Sequence, residues 1–164
     1  MTASARRLIL LAVVLSFGAG CGAPQKKSAA PRPAKVRAAT PELAKKVVRT
    51  ARSYLPEEDA GRKTPKDCSD FVSKVFAENA VSLPATSVEM SLAGTRVSSS
   101  KELRMGDLVF FSGEKVTRIV GHVGIYVNNG IFIHLSRPEA GVSMESLFSD
   151  YYRQRYLTAR RVIR

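Results

Sequence analysis

A single cysteine within the body of the chain carries the clearest chemical signal. Cys68 is flanked by Asp67, Ser69 and Asp70, and these polar neighbours argue against the alternative of a thiol that packs in a core as a small hydrophobe. The hydrophobic pattern predicts a helix that begins near Cys68. A helix N-terminus stabilises a thiolate and presents backbone N–H groups to an oxyanion. We therefore expect a nucleophilic thiol with a lowered pKa; the adjacent carboxylates oppose this effect, so a cationic imidazole nearby would be needed.

Both histidines of the chain lie on one predicted β-hairpin. A two-residue turn would point His122 and His134 to opposite faces of the hairpin. A three-residue loop ending at Gly130 instead pairs Gly124 with His134, puts both imidazoles on one face, and collects the apolar side chains on the other. We predict this register, with Cys68 as the nucleophile, His122 as its base and His134 as the group that orients His122.

A metal site built from the same cysteine and two histidines is the chemical rival to this interpretation. The three residues lack an evident fourth ligand for a tetrahedral zinc, and the chain contains no CxxC pair. We therefore predict thiol chemistry that requires no metal and no organic cofactor.

Helical patterns precede strand-like patterns along the chain. Thr40-Pro41-Glu42 favours a helix start, and Pro56 ends that helix. A second helix is predicted from about Cys68 and a third, shorter one over Ser87–Ala93. Apolar runs then predict four strands at Leu108–Phe111, His122–Val127, Ile131–Leu135 and Arg160–Ile163. Helices followed by antiparallel strands indicate an α+β fold.

Length and charge limit the class of protein. The 164 residues give room for one ordinary domain and a leader. Seven of the 26 Lys and Arg precede residue 41, where there is no acidic residue, so residues 41–164 carry 19 basic and 14 acidic side chains. A net charge of +5 on this part describes a mildly basic domain, and we expect no nucleic-acid partner.

The first 20 residues have the pattern of an export signal. Arg6 and Arg7 precede an apolar run of ten residues, which is too short to span a bilayer. Small residues then lead to Cys21, and this arrangement resembles a bacterial lipoprotein signal. The resemblance implies a diacylglycerol on Cys21 and, because Gly22 follows, attachment to the periplasmic face of the outer membrane. Ordinary signal cleavage nearby, with an incidental Cys21, is the alternative.

The sequence between the leader and the first predicted helix has a different composition. Residues 21–40 are rich in Ala, Pro and Lys and show no apolar periodicity, so we expect a flexible basic linker. The predicted plan is a signal peptide at 1–20, a lipidated Cys21 with its linker at 21–40, and a catalytic domain at 41–164.

Several motifs of this domain resemble the NlpC/P60 cysteine peptidases. They are Asp67-Cys68-Ser69-Asp70-Phe71-Val72, Leu83-Pro84, Gly106-Asp107-Leu108-Val109-Phe110-Phe111, His122-Val123-Gly124-Ile125-Tyr126-Val127 and Ile133-His134. The resemblance implies a compact papain-like fold and hydrolysis of peptidoglycan stem peptides, commonly at γ-D-glutamyl–diamino-acid bonds. It assigns catalysis to Cys68, His122 and His134, and substrate binding to Asp67 and Ser69.

Two features depart from that family's pattern. Asp70 stands where the family usually has Gly, and the Tyr-x-Trp-Gly-Gly stretch of many members is absent before the cysteine. We interpret Tyr54 as a helix packing residue rather than a substitute for the missing Tyr. The alternatives left open are a non-catalytic peptidoglycan-binding or scaffolding lipoprotein, and a thiol amidase or transacylase on the same fold. A regulatory protein partner also remains open.

Overall fold

The computed structural model describes residues 41–56 and 62–163. The predictions for the signal peptide, for Cys21 and for the linker therefore lie outside the described residues. Four helices are present in the described part: α1 (Pro41–Arg52), α2 (Cys68–Glu78), α3 (Ser87–Met90) and α4 (Asp150–Arg155). None of them is long and apolar enough to cross a membrane.

The strands form one antiparallel sheet. They are β1 (Thr95–Val97), β2 (Leu108–Ser112), β3 (Val120–Asn128), β4 (Ile131–Arg137), β5 (Gly141–Ser146) and β6 (Tyr156–Arg161). Their order across the sheet is β1-β6-β2-β3-β4-β5, and every neighbouring pair runs antiparallel. The α+β class predicted from the sequence is confirmed.

Helix α2 starts at the predicted residue, Cys68, and a side-chain cap stabilises its first turn. Asp67 is the N-cap, and its carboxylate accepts the Asp70 N–H at 2.8 Å, which satisfies one of the unpaired donors of a helix start. Four apolar side chains of the helix are buried: Phe71, Val72, Val75 and Phe76. They pack with α1 and one face of the sheet in a single hydrophobic cluster. This packing fixes Cys68 at the edge of the core.

Strands β3 and β4 separate two hydrophobic clusters. Val123, Ile125 and Ile133 belong to the cluster beneath α1 and α2. Tyr126 and Phe132 belong to the cluster on the opposite face, which also contains Tyr152 of α4. Since side chains alternate along a strand, His122 and His134 lie on the second face, as their contacts with aromatic rings of that cluster also show.

The β3–β4 hairpin has the predicted register but a different turn. The pairs Ile125↔Ile133 and Tyr126↔Phe132 follow the predicted ladder. The predicted three-residue loop is wrong, because the turn consists of Asn129 and Gly130, both with positive φ (48° and 79°), closed by the pair Asn128↔Ile131. A β-bulge at Val127 inserts the extra residue on β3. A bulge and a longer loop shift the register equally, so both histidines still share a face.

The polar and short elements differ most from the prediction. The last strand was predicted at Arg160–Ile163, but β6 occupies Tyr156–Arg161, and Val162 and Ile163 pack beyond its end in the cluster beneath α1 and α2. Helix α3 ends at Met90 instead of Ala93. Strands β1 and β5, helix α4 and a 3₁₀ turn at 100–102 were not predicted.

Candidate active site

The thiol of Cys68 meets the beginning of strand β3. Cys68 is the first residue of α2 and is partly buried. The backbone amide of Val123, the residue that follows His122, acts on its sulfur as a donor that lowers the thiol pKa. The structure therefore brings the predicted nucleophile to the strand that carries the predicted base.

The electrostatic state of this thiol differs from the prediction. Burial raises the pKa of Cys68 above its ordinary value, and the charge of Asp67 acts in the same direction. Hydrogen bonds from Val123 and Ser69 lower the pKa without overcoming burial. The predicted lowering of the pKa by the helix N-terminus is therefore wrong, because desolvation of the thiolate outweighs the backbone donors. At neutral pH the sulfur carries its proton and needs a base to remove it.

The two imidazoles form a hydrogen-bonded pair. His122 Nε2 and His134 Nδ1 lie 2.8 Å apart, and the rings meet edge-on with centroids 4.9 Å apart. Burial lowers the pKa of His122 to about 4. Burial, with a smaller contribution from His122, lowers the pKa of His134 to about 3. Both rings are neutral at pH 7, so one nitrogen donates and the other accepts.

The far nitrogen of His134 faces two hydroxyl groups that the sequence did not identify. Its Nε2 lies 3.2 Å from Tyr152 Oη and 3.4 Å from Ser143 Oγ. Tyr152 belongs to α4 and Ser143 to β5, two elements that the sequence analysis missed. The only sequence signal was the run of aromatic and basic residues around Tyr152, which favours a structural role but does not indicate a contact with His134.

The added carboxylate of Asp70 is held by other partners. It accepts the Lys66 N–H and the Lys74 ammonium group, both at 2.7 Å. Lys74 lies one helical turn further along α2, so it balances the charge of Asp70 locally. Asp67 and Ser69 flank the thiol, and their role in substrate binding stays a prediction.

Tyr54 contributes to packing and to a small pocket. Its ring packs edge-on against Phe71 with centroids 5.6 Å apart, and its hydroxyl donates to Glu78 at 2.6 Å. The packing role predicted for Tyr54 is confirmed. The same side chain also lines a pocket of about 100 Å³ together with Pro65 and Leu135, a feature that the sequence analysis did not anticipate.

The arrangement is suited to acyl transfer by a thiol. A protonated sulfur at a helix N-terminus lies beside a strand that carries a neutral, oriented imidazole pair, which are the parts of general-base-assisted nucleophilic attack. Among residues 41–56 and 62–163, no three His, Cys, Asp or Glu side chains are grouped to hold a metal ion.

Fold and site together define a papain-like domain with one thiol and two imidazoles. The model of the NlpC/P60 family matches residues 59–161, and the chain belongs to this family. One structural neighbour is a Staphylococcus aureus protein described as similar to a lipoprotein of the NLP/P60 family. It has a TM-score of 0.63 and 27% identity, with 80% of this chain and 45% of that chain covered.

Curated relatives match over the same domain. The chain is 42% identical over 98 residues to the Escherichia coli murein DD-endopeptidase MepS/murein LD-carboxypeptidase. This match covers 59% of this chain and 50% of the relative. It is 32% identical over 97 residues to a γ-D-glutamyl-L-lysine dipeptidyl-peptidase of Bacillus cereus, covering 59% of this chain and 29% of the relative. The chain therefore spans about half the length, or less, of these relatives.

Proposed function

We propose that the protein is a peptidoglycan hydrolase, a cysteine endopeptidase that cleaves stem peptides through a thioacyl intermediate on Cys68. The observation that carries this proposal is the approach of the Val123 amide to the thiol, on the same strand whose His122 ring is hydrogen-bonded to His134 at 2.8 Å. The relatives support the substrate class, because both act by name on murein or on a γ-D-glutamyl-L-lysine linkage.

In the proposed reaction His122 acts through the nitrogen that does not face His134. As the sulfur of Cys68 attacks the scissile carbonyl carbon, Nδ1 of His122 takes the thiol proton. Backbone N–H groups at the start of α2 stabilise the oxyanion. The C–N bond breaks, the leaving amine takes the proton from His122, and the acyl group remains as a thioester. Water deprotonated by His122 then releases the acid and restores the thiol.

The bond that we propose is the γ-D-glutamyl–diamino-acid bond, with Asp67 and Ser69 binding the stem peptide on either side of the thiol. The Bacillus cereus relative supports this bond by its name. A cross-linking DD bond is the second candidate, because the Escherichia coli relative with 42% identity is named a DD-endopeptidase and LD-carboxypeptidase.

Digestion of purified muropeptides, with the products weighed by mass spectrometry, tests this function. Cleavage after γ-D-glutamate shortens uncross-linked stem peptides to dipeptides, whereas DD cleavage converts cross-linked dimers to monomers. We expect wild-type protein to form one of these product sets and Cys68→Ala to form neither. Formation of either product set by Cys68→Ala at the wild-type rate would exclude the thiol mechanism. Binding of wild-type protein to sacculi without any new product would favour the non-catalytic alternative.

We also propose that the protein is anchored through a lipid on Cys21 at the periplasmic face of the outer membrane. The signal-like residues before Cys21 and the Gly that follows it support this proposal, and the description of the Staphylococcus aureus neighbour as similar to a lipoprotein supports the lipid. Labelled palmitate should enter the wild-type protein and Cys68→Ala but not Cys21→Ala. Equal labelling of all three proteins, or none, contradicts the anchor at this position.

A further inference from the structure

The tautomer of His134 decides whether His122 can act as a base. A neutral imidazole carries one N–H, and His134 is fully buried. If His134 carries its proton on Nε2, its Nδ1 accepts the N–H of His122 Nε2 across 2.8 Å, and Nδ1 of His122 is left as an acceptor. If His134 carries the proton on Nδ1, the order reverses and Nδ1 of His122 becomes a donor.

The partners of His134 Nε2 therefore control the pair. Tyr152 Oη is the nearer partner at 3.2 Å, and Ser143 Oγ lies at 3.4 Å. A hydroxyl oxygen can accept an N–H or donate its own hydrogen, so the distances alone allow both tautomers. The difference between the partners lies in how firmly each oxygen is held.

Tyr152 is held by aromatic packing on several sides. Its ring is 9% exposed and packs against Phe111 and Phe132 with centroids 5.2 and 4.9 Å apart. Its backbone N–H donates to Ser149 Oγ, the N-cap of α4, at 3.4 Å. The rigid ring therefore presents Oη to His134 in one position, whereas a serine hydroxyl on the sheet-edge strand β5 rotates about a single bond.

The hydroxyl of Tyr152 stays protonated at neutral pH. Burial raises the pKa of Tyr152 to about 12, the charge of Glu145 acts in the same direction, and a hydrogen bond with Ser136 opposes both. The neutral hydroxyl oxygen keeps lone pairs that can accept the N–H of His134 Nε2 across the 3.2 Å contact.

We propose that Tyr152 is a positioning residue that keeps the proton of His134 on Nε2, and thereby keeps His122 Nδ1 free to accept the proton of Cys68. Ser143 is the secondary acceptor. The catalytic consequence rests on the proposed function, whereas the tautomer is a property of the resting protein and can be measured without substrate.

Nitrogen NMR of the full chain, labelled with ¹⁵N, tests the tautomer at pH 7. We expect wild-type His122 and His134 both to carry their proton on Nε2. Tyr152→Phe keeps the ring and removes the acceptor, and it should shift His134 toward a mixture of tautomers. Tyr151→Phe makes the same chemical change on a neighbouring side chain that is 51% exposed, and it should leave both histidines unchanged. Wild-type His134 protonated on Nδ1 would overturn the proposal even if no variant folds.

Kinetics provide the second measurement. Tyr152→Phe should lower kcat about tenfold, the value of one lost hydrogen bond, with little change in KM, because no substrate contact is removed. Ser143→Ala should have a smaller effect, and the double variant a larger one. An unchanged tautomer in Tyr152→Phe overturns the proposal. The predicted NMR shift in a protein that cleaves no muropeptide would leave the proposal standing and remove the proposed function instead.

Discussion

His122 Nε2 lies 2.8 Å from His134 Nδ1, and the planes of the two rings are 89° apart. This relationship orients the base without placing a charge beside it, because His134 has a pKa lowered to about 3 by burial and is neutral at pH 7. A neutral acceptor stabilises an imidazolium on His122 less than a carboxylate would. The pair is therefore suited to a transient proton on His122 and a thiol that stays protonated at rest.

The orienting role of His134 predicts a graded response to substitution. His134→Asn retains a short side chain whose carbonyl oxygen can accept the His122 N–H, whereas His134→Ala leaves that N–H unpaired and opens a cavity. We expect His134→Ala to lower kcat by about 100-fold or more and His134→Asn to lower it much less. Muropeptide turnover measures both variants at equal concentrations of folded protein. Equal losses in the two variants would show that the ring acts by packing alone.

Gly124 gives the second prediction, because it lets β3 approach β4 beside the histidines. A Cβ added at Gly124 would lie 2.6 Å from Phe132 Cδ2, 3.1 Å from Ile133 O and 3.2 Å from His134 Cβ. Gly124→Ala should therefore lower the free energy of unfolding by about 1–3 kcal/mol and displace His134. Gly113→Ala is the matched control, since its Cβ would approach nothing nearer than Gly121 Cα at 4.0 Å.

Denaturant unfolding measures the difference between these two glycine variants. We expect Gly113→Ala to stay within about 0.5 kcal/mol of wild type and to keep its activity. If Gly124→Ala unfolds at the wild-type midpoint with unchanged activity, the close approach of the strands is not required.

The site was more predictable from the sequence than the elements around it. Cys68 and the two histidines could be placed because their positions follow from a helix start and from a strand register that burial determines. The bulge at Val127 could not be predicted, since a bulge and a longer loop give the same alternation. Tyr152 and Ser143 were missed because α4 has six residues and β5 is a polar edge strand, and neither carries a strong hydrophobic period.

The pKa of Cys68 depends on the balance between burial and hydrogen-bond donors, and the spacing of residues in the sequence does not reveal this balance. The sequence shows a helix N-terminus, which lowers a cysteine pKa, but the degree of burial of the sulfur depends on how β3 packs over α2. In the structure burial dominates and raises the pKa of Cys68. The neutralisation of Asp70 by Lys74 could have been predicted from their i, i+4 spacing.

Asp67 and Asp70 give a third prediction, because their charges affect the thiol differently. Asp67 raises the pKa of Cys68 through its charge, whereas Asp70 is paired with Lys74 at 2.7 Å. Asp67→Asn retains an N-cap side chain and should lower the thiol pKa, while Asp70→Asn should change it little. The pH dependence of iodoacetamide alkylation measures both pKa values. A larger shift in Asp70→Asn than in Asp67→Asn would contradict this view of the local charges.

A fourth prediction concerns the ion pair between Asp107, the residue before β2, and Arg161, the last residue of β6. Asp107 is 1% exposed and accepts hydrogen bonds from Arg161 Nε and Nη2 at 2.8 and 2.7 Å. Asp107→Asn leaves Arg161 without its counter-charge and should lower the free energy of unfolding by about 3 kcal/mol. Lys45→Gln breaks an exposed pair with Glu42 and should leave the free energy of unfolding nearly unchanged. Similar losses for both variants in urea unfolding would rule out a special role for burial.

The last prediction is a loss of stability in acid caused by the histidine pair. The pKa values of folded His122 and His134 are lowered to about 4 and about 3, whereas an unfolded His has a pKa of about 6.5. Between these values the unfolded chain binds more protons, so the free energy of unfolding falls as the pH drops from about 7 to about 4. Each histidine contributes up to about 1.4 kcal/mol per pH unit to this slope.

Urea unfolding of wild type and His134→Asn at pH 7, 6 and 5 isolates the contribution of one ring. Carboxylates contribute nearly equally to both proteins, so their effect cancels in the difference between the slopes. The free energy of unfolding should fall less steeply with decreasing pH in the variant than in wild type, by up to about 1.4 kcal/mol per pH unit. This difference in slope does not depend on the stability of the variant at pH 7. Parallel slopes would mean that folded His134 titrates near its ordinary pKa, and a positive charge would then stand next to His122 in mildly acidic solution.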